Sequence, residues 1–179
     1  MGIFKRKKIT TAAVFTLTAM LTFTSMAFAE ETPTDKITVM LTGDLMCQRS
    51  QQLKAFDGTS YDFKPTFRYV KKIFDEADIV IGNLETLVSE SLPLSKDMNL
   101  LQGKPYLNAP NEWLDALEYA GFDGLIMANN HACDGGKTGI IETLEELDRR
   151  GIPHTGLYRS KQEKRSKIMK KLFIIGKRY

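Results

Sequence analysis

The sequence is poor in the two side chains that most often mark a reactive or metal-bound centre. Of 179 residues, only Cys47 and Cys133 are cysteine and only His131 and His154 are histidine. One disulfide is therefore the most the chain can form. Whether the two thiols pair or stay free is left open, because bonding requires their Cα atoms to approach within roughly 7 Å. No internal repeat is present, which removes a solenoid or propeller architecture. The central body also lacks positive charge. The formal net charge of +3 is unevenly spread: residues 1–29 hold four basic and no acidic side chains, and residues 159–179 hold nine basic ones against Glu163 alone. That leaves 12 basic and 21 acidic residues between Glu30 and Tyr158. A basic groove with interleaved aromatics is missing there, which argues against nucleic acid as a partner.

The N-terminus is distinctive. Lys5-Arg6-Lys7-Lys8 precedes an uncharged stretch from Ile9 to Ala29 that closes with Ala27-Phe28-Ala29. A basic region, an apolar region and an A-x-A site make a secretory signal peptide over residues 1–29, with cleavage expected after Ala29; the alternative is an uncleaved signal anchor. Six threonines (Thr10, Thr11, Thr16, Thr18, Thr22, Thr24) make this stretch a poor permanent membrane span, which calls for about 20 predominantly apolar residues. Export would permit a disulfide. Residues 30–35 form a polar linker containing Pro33.

Beyond the linker, the length suits one domain. Ile37 to Thr42 reads as a first strand, stopped by Gly43-Asp44, and its continuous apolar character suits a parallel strand covered on both faces. Phe67, Val70, Ile73 and Phe74 form a helical stripe ending near Glu76. Ile79-Val80-Ile81 is a second strand, stopped by Gly82-Asn83. Ser89 to Asn108 has no periodicity, and long loops of this kind either cover a site or run over the surface. A helix capped by Asn111 or Asn108 carries Trp113, Leu114, Leu117 and Ala120 and ends at Gly121. Gly124 to Ala128 is a third strand. Ile140, Ile141, Leu144 and Leu147 line a helix stopped by Gly151, and Ile152 to Gly156 opens a fourth strand. Leu172 to Ile175 also has strand character. The order βαβαβαβ predicts an α/β fold with parallel pairing.

Each of the first three strands ends in polar residues: Asp44; Asn83 with Glu85; and Asn130, His131 and Asp134. Parallel strands set their carboxyl ends along one edge, where open α/β sheets bind ligands. Carboxylates and amide oxygens converging there are ligand types for a divalent ion such as Mn²⁺, Mg²⁺ or Zn²⁺. His131, oriented by Asp134, would serve as a general acid. The competing reading is that Asp44 caps a turn, Asn83 satisfies nearby backbone, and the Asn, Asp and Gly residues simply form loops. His154 reads as structural, and Cys47 and Cys133 as lining the site.

Thr42-Gly43-Asp44-Leu45-Met46, Gly82-Asn83-Leu84-Glu85-Thr86, Ala128-Asn129-Asn130-His131-Ala132-Cys133-Asp134-Gly135-Gly136 and Gly151-Ile152-Pro153-His154-Thr155-Gly156 together resemble the CapA family of capsule and poly-γ-glutamate synthesis proteins. That family is related in fold to the calcineurin-like metallophosphoesterases. The resemblance spans roughly Lys36 to Arg165. It implies a metallophosphoesterase-like α/β/β/α sandwich of which this chain holds the N-terminal βαβαβαβ half, as a partial domain over residues 36–158. The basic tail over 159–179 would then stem from truncation or a frameshift. The resemblance further implies a secreted or cell-envelope location, with an anionic polymer or its synthase complex as partner and membrane association only through an uncleaved N-terminal segment. By motif, Asp44 matches the first ligand aspartate, Asn83 with Glu85 the bridging segment, Asn130 the ligand amide and His131 the catalytic histidine.

The sequence departs from that pattern in three places. Met46 stands where the phosphoesterases carry a histidine, Asn83 where they carry an aspartate, and the later histidine-bearing motifs are absent. Two functions follow. One is a metal-dependent hydrolase in complete form, with this chain inactive by itself; the other is a non-catalytic envelope component that binds polymer or a synthase complex. Half of a two-sheet domain would also leave a sheet face and an edge uncovered.

Overall fold

A computed structural model describes residues 36–97 and 106–167. The signal segment, the linker over 30–35, the middle of the long loop and the run from Leu172 to Ile175 lie outside these residues. The chain divides into Met1–Lys36 and Ile37–Tyr179, and all the elements below belong to the second unit. Among the described residues no helix is long and apolar enough to cross a membrane.

The expected parallel α/β architecture is present. Strands β1 (Val39–Asp44), β2 (Ile79–Asn83), β5 (Gly124–Ile126) and β6 (His154–Thr155) form one sheet in the order β1-β2-β5-β6. All three pairings are parallel. Short strands β3 (Leu87–Val88) and β4 (Asn108–Ala109) make a second parallel pair. Between the strands come helices α1 (Arg49–Ala55), α2 (Lys64–Phe67), α3 (Lys71–Phe74), α4 (Glu112–Ala120) and α5 (Gly136–Arg150). Helices α4 and α5 both end on a left-handed glycine, Gly121 and Gly151, as their sequences predict.

The single helix expected through Phe67–Glu76 is instead two one-turn pieces, α2 and α3. Thr66, Val70 and Ile73 are β-branched and Phe67, Tyr69 and Phe74 aromatic, so intrinsic helix preference is weak. The backbone mixes i→i−3 bonds, from Thr66 N to Phe63 O (3.0 Å) and from Ile73 N to Val70 O (2.9 Å), with i→i−4 bonds such as Phe74 N to Val70 O (3.0 Å).

The core lies between the helices and one face of the sheet. Val80 and Leu125 of the sheet pack with Trp113, Leu114 and Leu117 of α4 and Leu144 and Leu147 of α5. A chain of aromatic contacts extends this core: Tyr61 stacks on Phe63, Phe63 meets Trp113 edge-on at 5.3 Å, and Phe67 and Phe74 both meet Phe122. Cys47, expected at the site, is buried here instead, and burial pushes its thiol up to about 12. Both cysteines are free.

The opposite sheet face corrects the expectation that these strands are covered on both sides. Paired neighbours share a face, and Val80 is 1% exposed whereas Ile37 and Leu41 are 69% and 72% exposed, with Val39, Ile79 and Ile126 also open. Parallel strands normally read as apolar because both faces are covered. Among the described residues only one face is.

The loop after β3 is tightly held where it is described. Asn108, expected as a possible helix cap, is a buried strand residue whose Nδ2 donates to the carbonyls of Ser89, Leu92 and Pro93 at 2.9–3.2 Å. Buried Gln52 donates to Cys47 O and Asn108 O and accepts from Lys96 N. The Glu142 carboxylate accepts from the hydroxyls of Ser89 and Ser91 at 2.5 and 2.6 Å. At the far edge His154, read as structural, is buried; its Nδ1 donates to Ile152 O at 2.9 Å, and its Nε2 faces Lys167 Nζ at 2.9 Å.

Two outcomes are expected from this packing. Gly156 has φ +106, and a Cβ there would stand 2.5 Å from Ala128 N, whereas one at Gly43 meets nothing within 4 Å. Gly156→Ala should therefore lower unfolding free energy by about 1–3 kcal/mol in urea titrations, while Gly43→Ala stays within about 1 kcal/mol of the parent. The Ser89 and Ser91 hydroxyls hold the Glu142 carboxyl below the usual carboxylate range. A folded-state pKa below the unfolded one stabilises above the unfolded value, and that contribution is lost as pH falls through the folded value. The stability gap between the parent and Glu142→Gln should accordingly be largest near neutral pH and shrink as pH falls below the usual carboxylate range.

Candidate functional site

Main-chain pairing brings the strand ends together before any side chain acts. Asp44 lies opposite Asn83, and Asn83 opposite Ile126. Beyond the strands the ladder continues from Leu45 N to Asn83 O (2.8 Å), Leu84 N to Ile126 O (2.7 Å) and Met127 N to Thr155 O (2.8 Å). Asp44, Asn83, Glu85 and the segment from Asn129 to Asp134 are thereby set along one edge.

Asn83 is the centre of the resulting network. Its Nδ2 donates to Asp44 Oδ1 at 2.7 Å and to Glu85 Oε2 at 3.0 Å. Its Oδ1 accepts from Asn129 Nδ2 at 3.0 Å. Asn129 Nδ2 also donates to Leu84 O at 2.9 Å, and Asn129 Oδ1 accepts from His131 N at 3.1 Å. Glu85 is 6% exposed. Burial, then the neighbouring Asp44 carboxylate, raise its pKa, against smaller opposing effects of His131 and Asn83.

His131 sits behind this edge. Its Nδ1 is 2.8 Å from Asp134 Oδ2, which also accepts from Leu107 N at 2.8 Å. A carboxylate that already accepts a main-chain N–H assigns the imidazole proton to Nδ1 and leaves Nε2 as the nitrogen able to exchange a proton. Tyr106 lies nearby, its hydroxyl pKa raised by burial and by the Asp134 charge.

Asp44, Asn83 and Glu85 are thus in direct contact, and His131 and Asp134 form a pair beside them. Asn130 differs. It is exposed and makes no hydrogen bond among the described residues, and its neighbour Asn129 holds the central place. Two adjacent asparagines gave no way to tell which one faces inward. Leu107 and Tyr106 went unnoticed because they lie in a stretch without periodicity. Cys133 is exposed, and Cys47 belongs to the core. A cleft of about 460 Å³ between Tyr61, Glu90, Leu92, Asn111 and Asp115 is lined by none of these residues.

Among the described residues no three His, Cys, Asp or Glu side chains gather as a metal-holding group. What the edge does offer is a carboxylate pair, Asp44 and Glu85, with the Glu85 pKa raised first by burial and then by its Asp44 neighbour. Oxygen donors of this number fit a single hard ion that keeps most of its water, such as Mg²⁺ or Mn²⁺.

The chain is a parallel α/β domain with a polar cluster at the carboxyl ends of its strands, the edge at which open α/β sheets bind ligands. The family follows from comparison with known proteins: residues 38–177 match the model of the bacterial capsule synthesis protein PGA_cap, and the chain belongs to that family. The match contains every site residue named above and continues past Arg165 to residue 177, into the basic tail. The chain is 30% identical over 123 residues to the capsule biosynthesis protein CapA of Bacillus anthracis, covering 68% of this chain and 28% of that protein. It is 29% identical over 134 residues to the PGA biosynthesis protein CapA of Bacillus subtilis (strain 168), covering 75% and 33% respectively. It is also 28% identical over 129 residues to the uncharacterized protein y4sH of Sinorhizobium fredii (strain NBRC 101917 / NGR234), covering 72% and 26%. The chain therefore spans about a quarter to a third of the length of the curated relatives it matches.

Replacing Asp134 by Ala removes the acceptor of both Leu107 N–H and His131 Nδ1–H. The expected result is a loss of about 1–3 kcal/mol in urea unfolding together with faster amide exchange at Leu107.

Proposed function

We propose that this protein works outside the cytoplasm, in the synthesis, export or release of an anionic polymer of the cell envelope, with the Asp44–Asn83–Glu85 edge and the His131–Asp134 pair as its working site. The observation that carries this reading is the 2.8 Å contact between His131 Nδ1 and Asp134 beside two carboxylates linked by one amide. Membership of the capsule synthesis family supplies the polymer context.

The residues divide the work. Asp44 and Glu85 would hold a Mg²⁺ or Mn²⁺ ion, which when bound offsets the negative charge of the polymer and polarises an oxygen of it. This accounts for an acidic body meeting an anionic ligand, since like charges otherwise repel. Asp134 fixes the His131 ring so that Nε2 is free to accept or deliver a proton at a reacting group. Asn83 joins the two carboxylates. Asn130, exposed and unpaired among the described residues, has no assigned part.

A second reading has its own support. Two carboxylates are fewer protein ligands than a hydrolytic metal site commonly uses. A site that grips polymer or a synthase complex through a cation, without cleaving anything, needs no more than these.

Calorimetry of the full chain with short poly-γ-glutamate, with and without Mn²⁺, separates the outcomes. Cation-dependent binding is expected, weakened at least about tenfold by Asp44→Ala. Appearance of new amino ends, lost in His131→Ala while binding persists, identifies hydrolysis; binding without cleavage identifies the second reading. Absence of any cation-dependent binding sinks both.

A further inference from the structure

Amide side chains are ambiguous by 180°, and their direction is assigned from the groups they meet. In this site the assignment runs back to the main chain. Leu84 O can only accept, so the Asn129 atom 2.9 Å from it is Nδ2. His131 N can only donate, so the Asn129 atom 3.1 Å from it is Oδ1. With Asn129 fixed at both ends, its Nδ2 requires an acceptor at 3.0 Å, and Asn83 Oδ1 supplies it. The Asn83 Nδ2 is then left facing Asp44 Oδ1 and Glu85 Oε2, each an acceptor. Turning Asn83 over would set an oxygen against two carboxylates and a nitrogen against a nitrogen.

We infer that Asn129 is the positioning residue of this site: referenced to two main-chain groups, it fixes the Asn83 amide as a donor that clamps Asp44 to Glu85, so that a bound cation is contacted by the two carboxylates and not by Asn83. The inference rests on the cation-binding reading above for its last clause only; the direction of the amide is independent of it. Two consequences follow. Asn83 is a neutral link that holds both carboxylates in one geometry with or without an ion. Asn129, adjacent to the exposed Asn130, links the Asn83 amide, and through it the carboxylate pair, to the backbone of His131.

Side-chain amide exchange, measured by NMR on the full chain labelled with ¹⁵N-asparagine, tests this. The Asn83 NH₂ protons should exchange at least about tenfold more slowly than those of exposed Asn130, the equivalent of one net hydrogen bond. That protection should survive saturation with Mg²⁺ and should be lost in Asn129→Leu, which keeps volume but has no donor. Asn129→Asp, which keeps the acceptor for His131 N and removes the donor, provides a second variant if the first fails to fold. Loss of Asn83 protection when Mg²⁺ binds would mean ligation through Oδ1 and would overturn the inference, as would exchange at the Asn130 rate in the ion-free parent. No response of any site signal to Mg²⁺ would remove the cation reading and leave the amide direction to be judged from the ion-free rates.

Discussion

Two carboxylates converging on one sheet edge disfavour being charged together, and the burial of Glu85 adds to that cost, while Asp44 stays exposed. The amide nitrogen of Asn83 stands between Asp44 and Glu85 and gives each an N–H to accept. The pairing of β1 with β2 sets Asp44 opposite Asn83, and the turn after β5 supplies Asn129 to hold the amide in place. Most of what is distinctive about the site depends on that one side chain being neutral, bidirectional and anchored.

The same turn couples the site to a distant part of the chain. Asp134 accepts from both His131 and Leu107, and Leu107 leads into β4, whose Asn108 gathers the carbonyls of the loop after β3. Gln52 of α1 bonds the same strand and loop. A stretch whose sequence shows no periodicity is thus ordered, over its described part, by two buried amides. Its contact with the imidazole runs through one carboxylate oxygen.

These features explain what was legible in the sequence. Strands β1, β2, β5 and β6 were readable as short apolar runs and α4 and α5 as periodic apolar segments closed by glycine, and the order of elements dictates parallel pairing, whereas the two-residue strands β3 and β4 gave no such signal. The strand ends were readable because Asp44, Asn83, Glu85, His131 and Asp134 interrupt apolar runs abruptly. The choice of Asn129 over Asn130 was not, since it depends on how one turn is twisted. Nor was the break between α2 and α3, where apolar spacing suggested a helix that β-branched and aromatic residues do not sustain. Asn108 shows the same limit: an asparagine before a helix looks like a cap, and only long-range bonds to Ser89, Leu92 and Pro93 give it another task.

The bare aliphatic face of β1, β2 and β5 bears on how this polypeptide answers to its solvent. The exposed isoleucine, valine and leucine side chains described on this sheet face respond little to ionic strength as such but strongly to the kind of salt present. Sulfate and phosphate, excluded from protein surfaces, raise the drive to hide such a patch, and urea lowers it. For the described residues, the position of the buffer anion in the lyotropic series is therefore a physical lever on this face that net charge alone does not capture.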